Sequence, residues 1–138
     1  MDGWEHFPHE ADVGIRAYGP TLAAVFEQAA LAMTAAITDV EHVVPNECVS
    51  IACEAPQTDL LLVEWLNALV YEMAVRHMLF SRFVVTIEDS GLTGEAWGEF
   101  VNVDRHRPAA EVKGVTYTAL KVARRADGQW LAQCVVDV

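Results

Sequence analysis

Gln129-Trp130-Leu131-Ala132-Gln133-Cys134-Val135-Val136-Asp137-Val138 keeps an apolar, β-branched character to its last residue, where a domain ordinarily trails off in a polar tail. Such a segment is expected to be tied into a sheet as a strand. Its end then fixes the Asp137 side chain and the carboxylate of Val138 in space, and two negative oxygen donors held together invite a cation. Just upstream, Ala126-Asp127-Gly128 carries the Asp-Gly pair that supplies the φ > 0 positions of a tight turn. The spacing therefore predicts a hairpin between residues 115–124 and 129–137.

Working back from that hairpin, most of the remaining chain also alternates with a period of two. Val13, Ile15 and Ala17 alternate with Asp12, Gly14, Arg16 and Tyr18, which places Asp12 on the wet side of a strand following Phe7. Val49, Ile51 and Cys53 give a second strand region, and Phe83, Val85 and Ile87 a third, followed by a turn at Asp89-Ser90-Gly91 and a strand over 92–99. Within that last strand Gly94 and Gly98 predict bulges or close backbone approach. Two stretches switch to helical spacing. Behind Gly19-Pro20 and the N-cap candidate Thr21, Leu22, Val25, Phe26, Ala29, Met33, Ala36 and Ile37 mark a core-facing helix to about Thr38. Behind Ala55-Pro56, with Thr58 or Asp59 as cap, Leu62, Trp65, Leu66, Leu69, Val70 and Met73 form the stripe of a second helix. The expected fold class is α+β: a two-layer sandwich of two helices on a mostly antiparallel or mixed sheet, in one domain spanning 1–138.

Composition narrows the function. The chain has 138 residues, room for one sizeable core, and 53% of them are hydrophobic. No apolar run approaches the roughly 18 residues of a membrane span, and the opening Met1-Asp2-Gly3-Trp4-Glu5-His6 lacks the regions of a signal peptide, so a soluble cytoplasmic protein with no membrane partner is expected. Cys48, Cys53 and Cys134 have no metal-site spacing and read as small buried hydrophobes. Nine Lys and Arg face 20 Asp and Glu for a net charge of −11, which argues against direct non-specific binding of nucleic acid and suits a basic partner, a divalent cation, or solubility alone.

Three polar clusters lie in these apolar surroundings: His9-Glu10-Ala11-Asp12-Val13-Gly14, Glu111-Val112-Lys113-Gly114-Val115-Thr116-Tyr117, and Asp137-Val138. With Trp65-Leu66-Asn67, Ala96-Trp97-Gly98-Glu99 and Asp104-x-His106 they resemble, almost end to end, the archease family, small acidic proteins that assist the RtcB-type RNA ligase of tRNA splicing. The resemblance implies an archease-like fold and a metal site, calcium in the family, formed by Asp12, Asp137 and the Val138 carboxylate. It also puts Lys113 among the functional residues, with Glu111 and His9 as lower-ranked partner or ligand contacts. Calcium takes roughly 6–8 oxygens, so three carboxyl groups would leave a site for waters or a partner to complete. Without a cation, two such charges about 4 Å apart repel by about 4 kcal/mol at an effective dielectric near 20. On the residues alone, Asp12 could equally pair with Arg16, and Lys113 could be an edge-strand lysine that discourages aggregation. Three positions depart from the family pattern. Glu10 stands in place of Thr and is expected to point to the sheet face opposite Asp12, Ala109-Ala110 replaces Gly-Thr, and Thr118 stands where His is common.

Three functions are consistent with these residues. The resemblance implies a non-enzymatic activator that promotes ligase guanylylation and multiple turnover in tRNA splicing or RNA repair, reaching RNA only through the ligase. A chaperone-like assembly module would use the acidic surface instead. A metal-dependent hydrolase is the weakest, since no Gly-rich phosphate loop, nucleophile elbow or second set of metal ligands is present.

Overall fold

The computed structural model describes residues 2–138; Met1, part of the opening read as lacking a leader, lies outside them. The elements run β1 (Gly3–His9), β2 (Asp12–Gly19), α1 (Leu22–Ala35), β3 (Glu47–Glu54), α2 (Thr58–Arg76), β4 (Met78–Glu88), β5 (Gly91–Phe100), α3 (Val103–His106), β6 (Gly114–Val115), β7 (Lys121–Arg124) and β8 (Trp130–Asp137). The α+β class expected from the sequence is what the chain adopts. Its strands divide into two sheets rather than one. The first is ordered β1-β2-β8-β6, with β7 also paired to β8, and the second is ordered β3-β5-β4; every pairing is antiparallel.

The long helices join the two sheets. Helix α1 packs on β2 of the first sheet and β4 of the second, and α2 touches β3, β4 and β5 as well as β6 and β7. Their fully buried Phe26, Met33, Leu62, Trp65, Leu66 and Leu69 belong to one buried cluster with Ile15, Ala17 and Cys134 of the first sheet and Phe80 of the second. Buried side chains of this size contribute about 1.5–3 kcal/mol each, so the helices act as the common core for both sheets. Trp65 also donates from Nε1 to the Phe26 carbonyl at 3.1 Å, pinning α2 to α1. The edge of β4 is guarded by α1, whose Glu27 accepts from the Val85 amide at 2.9 Å.

Local signals place most boundaries. Thr21 caps α1 as expected, accepting from the Ala24 amide at 3.1 Å. The helix ends at Ala35 rather than near Thr38, because Ala36 and Ile37 turn back onto the Met33 and Thr34 carbonyls in a tightened final turn. Neither Thr58 nor Asp59 caps α2; Gln57 occupies the cap position without a side-chain bond, and Asp59 sits in the positive first turn. The stretch read as one strand over 115–124 is broken into β6 and β7 by a turn in which Ala119 takes φ 55°. The Asp-Gly hairpin forms as expected, with Gly128 at φ 86° and the Arg125 amide bonded to the Gln129 carbonyl at 2.7 Å.

Both strand glycines mark close approach. A Cβ at Gly94 would lie 2.6 Å from the Trp65 ring. One at Gly98 would overlap the Leu79 carbonyl oxygen, beside the register shift between Phe80 and Arg82 in β4. The three cysteines differ: Cys134 is buried and Cys53 half-buried, with burial pushing their thiols up to about 12 and about 11, whereas Cys48 is exposed beside Glu95.

Candidate functional site

Chain order separates the three polar clusters, and strand order reunites them. In the β2–β8 ladder Val13 pairs with Val136, so the next positions outward are Asp12 and Asp137. They occupy adjacent strands and the same face, with side-chain origins about 5 Å apart. On the other side of β8, Asp137 pairs with Gly114 of β6, and the Lys113 amide donates to the Asp137 carbonyl at 2.8 Å. The Val138 amide approaches Asp12 Oδ1 at 3.5 Å, which ties the last residue to the first hairpin. Asp12, Asp137 and Val138 are all half-buried.

Arg16 does not compete for Asp12. It pairs with Glu5 at 3.3 Å, donates to Gln133 at 3.0 Å and stacks on the Phe7 ring at 4.6 Å. Tyr18 and Arg16 on Glu5 together hold its carboxyl below the usual carboxylate range. Among the described residues, Asp12, Asp137 and Lys113 take part in no ion pair.

Among the described residues, no three His, Cys, Asp or Glu side chains are grouped to hold a metal ion. Two carboxylate side chains with the Val138 carboxylate are hard oxygen donors at one sheet end, a set that fits a calcium-type ion only with waters or a partner to complete it. The other expected site residues are placed less centrally. His9 ends β1 opposite Asp12, half-buried. Glu111 is exposed and lines an apolar cavity of about 210 Å³ with Val70, Met73, Met78 and Val101. Glu10 sits with φ 54° in the turn between β1 and β2, so strand alternation does not set its direction. Ala109 keeps a backbone role without a polar side chain, its amide bonding the Ile37 carbonyl at 2.7 Å, and the Thr118 carbonyl accepts from Val135 at 3.2 Å.

Two supports were not assigned from sequence. Asn67 on α2 accepts from the Val115 amide at 3.0 Å and so holds β6 in place beneath Lys113. Glu99 takes a bidentate pair from Arg105 at 2.7 and 2.8 Å, the Val44 amide at 2.7 Å and His106 Nε2 at 2.9 Å. His106 is buried, and its Nδ1 accepts from the Asn102 amide at 2.8 Å, so the proton resides on Nε2 and points at Glu99. This knot anchors the loop that leads to Glu111 and Lys113. The motifs Ala96-Trp97-Gly98-Glu99 and Asp104-x-His106 were visible in the sequence, but nothing in their spacing marks a carboxylate shared by two side chains and a distant amide.

Arg105, Val44 and His106 hold the Glu99 carboxyl down to about 2 from its usual 4.5. A lowered carboxyl stabilises the fold above its unfolded value and loses that contribution as pH falls toward the folded one. The stability margin of the native chain over Glu99→Gln is therefore expected to be full above about pH 4.5 and to vanish toward about pH 2, as read by denaturant titrations across that range.

The α+β arrangement matches solved structures. The solution structure of Methanobacterium thermoautotrophicum protein 1598 superposes with a TM-score of 0.85 at 36% identity, covering 99% of both chains. An archease of Thermotoga maritima, described as a possible chaperone, shares the fold with a TM-score of 0.64 at 16% identity over 97% of this chain and 96% of its own. Protein archease of Pyrococcus furiosus is 38% identical over 142 residues, covering both chains fully, and that of Methanosarcina acetivorans 38% identical over 98% of this chain and 95% of its own. The model of the Archease protein family matches residues 4–138. The chain belongs to the archease family.

Proposed function

We propose that this protein is a non-enzymatic, metal-binding activator of an RtcB-type RNA-splicing ligase, acting in the cytoplasm to promote ligase guanylylation and repeated turnover in tRNA splicing or RNA repair. The observation that carries this reading is the convergence of Asp12, Asp137 and Val138 on one sheet end, with Lys113 on the neighbouring strand. A divalent ion, calcium by resemblance, would be held there by the three carboxyl groups and would supply positive charge to nucleotide phosphates. The chain's own residues do the positioning. Asn67 and β8 fix the backbone around Lys113, whose exposed ammonium is free to meet a phosphate or a carboxylate of the partner. The net charge of −11 favours approach to a basic cleft.

The direct test is ligase guanylylation in the presence of Asp137→Ala or a chain lacking Val138. Stimulation is expected to fall to the level of the ligase alone, with the thermal melt of either variant close to that of the parent. Undiminished stimulation would remove these carboxylates from the mechanism. A second reading, a chaperone-like assembly module, is favoured by the apolar cavity beside Glu111 and predicts partner capture that is indifferent to chelator. Nucleotide turnover by this chain with no ligase present would point instead to a hydrolase.

A further inference from the structure

Between Glu111 and Asp127 the chain carries Lys113, Lys121, Arg124 and Arg125 without a single Asp or Glu, so four of its nine Lys and Arg sit in a stretch that holds none of its 20 acids. The fold makes this stretch a sheet edge, because β6 and β7 lie end to end along the side of β8 that faces away from β2. Lys113, Lys121, Arg124 and Arg125 are exposed, and among the described residues only Arg125 takes an ion-pair partner, Asp127 at 3.7 Å. Tyr117, in the turn between the two short strands, is 67% exposed. Lys113 and Lys121 stand about eight pairing positions apart in sequence but only about five along β8, or about 17 Å at the usual rise.

We propose that this basic edge, β6 through β7, is the surface on which an otherwise acidic chain contacts the phosphate backbone of a single RNA strand, with Tyr117 as a stacking platform for a base. The inference goes beyond the activator reading and does not depend on it.

The edge is poorly built for the other occupant an exposed edge invites, an added peptide strand. Its two pieces are two and four residues long. The outward amide of Val115 is already taken by Asn67, and the Ala119 carbonyl by Gln133 at 3.0 Å. What the edge presents is side-chain charge and one aromatic face, the two elements that single-strand recognition uses. Lysine placed only to discourage edge-to-edge pairing would account for Lys121 but not for three cations outside any ion pair among the described residues, beside an exposed ring. Three unpaired cations against a chain of net charge −11 bind weakly, so the contact matters where RNA is already held by a partner, and with this chain alone it emerges at low salt.

The test is an amide NMR titration of the full chain with a short single-stranded oligoribonucleotide, compared with an oligoglutamate of equal charge. RNA is expected to move amides within 113–125. Affinity is expected to fall about 20-fold between 50 and 200 mM salt, the slope for about three neutralised phosphates on a single strand. Lys121→Glu with Arg124→Glu should abolish the shifts while the rest of the spectrum stays in place, and Tyr117→Ala should weaken them. Guanylylation assayed without RNA should be untouched by the Lys121 and Arg124 changes, which separates this proposal from the activator reading. Shifts elsewhere, no shifts at all, equal shifts with oligoglutamate, or shifts that survive the double substitution would overturn it.

Discussion

Replacing Gly98 by alanine is expected to abolish cooperative folding. The strand β5 passes so close to β4 at the bulge that a methyl group at position 98 would occupy the space of the Leu79 carbonyl oxygen, with the Phe80 backbone next to it. These are backbone atoms of a central ladder, and no rotamer change moves them aside. Relief requires separating β4 from β5, which breaks the pairing that runs from Met78–Phe100 to Glu88–Gly91. Domains of this size have about 5–15 kcal/mol of net stability, and steric insertions of this kind belong to the exceptional class above about 4–5 kcal/mol. The measurement is a thermal melt followed by near-ultraviolet circular dichroism: a flat trace for Gly98→Ala, and a near-native transition for the control Gly91→Ala, where the nearest atom to an added Cβ is 3.6 Å away. A native-like melt for Gly98→Ala would refute the packing described at the bulge.

Trp65→Ala comes next in expected effect. Trp65 is fully buried, packs edge-on against Phe83 at 6.2 Å, and carries the indole hydrogen bond that joins the two long helices. Truncating it removes that contact area, leaves a cavity and loses the indole bond to the Phe26 carbonyl, which keeps its partner within α1, at a cost of about 3–5 kcal/mol. Because the same ring is what an added Cβ at Gly94 would strike, the two sites are coupled. Gly94→Ala is expected to be strongly destabilising in the parent chain and to cost much less on the Trp65→Ala background. Denaturant midpoints for the four chains of this double-mutant cycle decide the matter; additive effects would mean that the Trp65 ring does not limit position 94.

The helices and most strands were legible because each buries one face, and burial writes its period into the sequence: Leu62, Trp65, Leu66, Leu69 and Met73 for α2, Val13, Ile15 and Ala17 for β2. The division into two sheets was not, since alternation records which face of a strand is wet and carries no mark of which strand lies beside it. The break at residues 116–120 was hidden for a different reason. Ala119 takes a positive φ without being glycine, and Thr116 uses its hydroxyl on the Val135 carbonyl at 2.8 Å to shape the turn, neither of which the alternating pattern discloses. At the candidate site, the tethering of Asp137 and Val138 could be argued from the apolar run that precedes them, and Asp12 from the family motif. The Glu99 knot and the Asn67 tie could not, because both depend on partners tens of residues away whose proximity only the fold creates.

The position of β8 has a consequence for how the protein comes into being. This strand is the last in sequence, yet it lies inside the first sheet, between β2 on one side and β6 and β7 on the other. During synthesis the opening hairpin must therefore wait, its inner edge unsatisfied, until more than a hundred further residues have left the ribosome and the missing strand can slot in. The second sheet, with α1 and α2, is complete long before that and can serve as the template on which the late strand docks. The acidic tip therefore exists only once β8 has docked between β2 and β6, which makes it a marker of a completed first sheet.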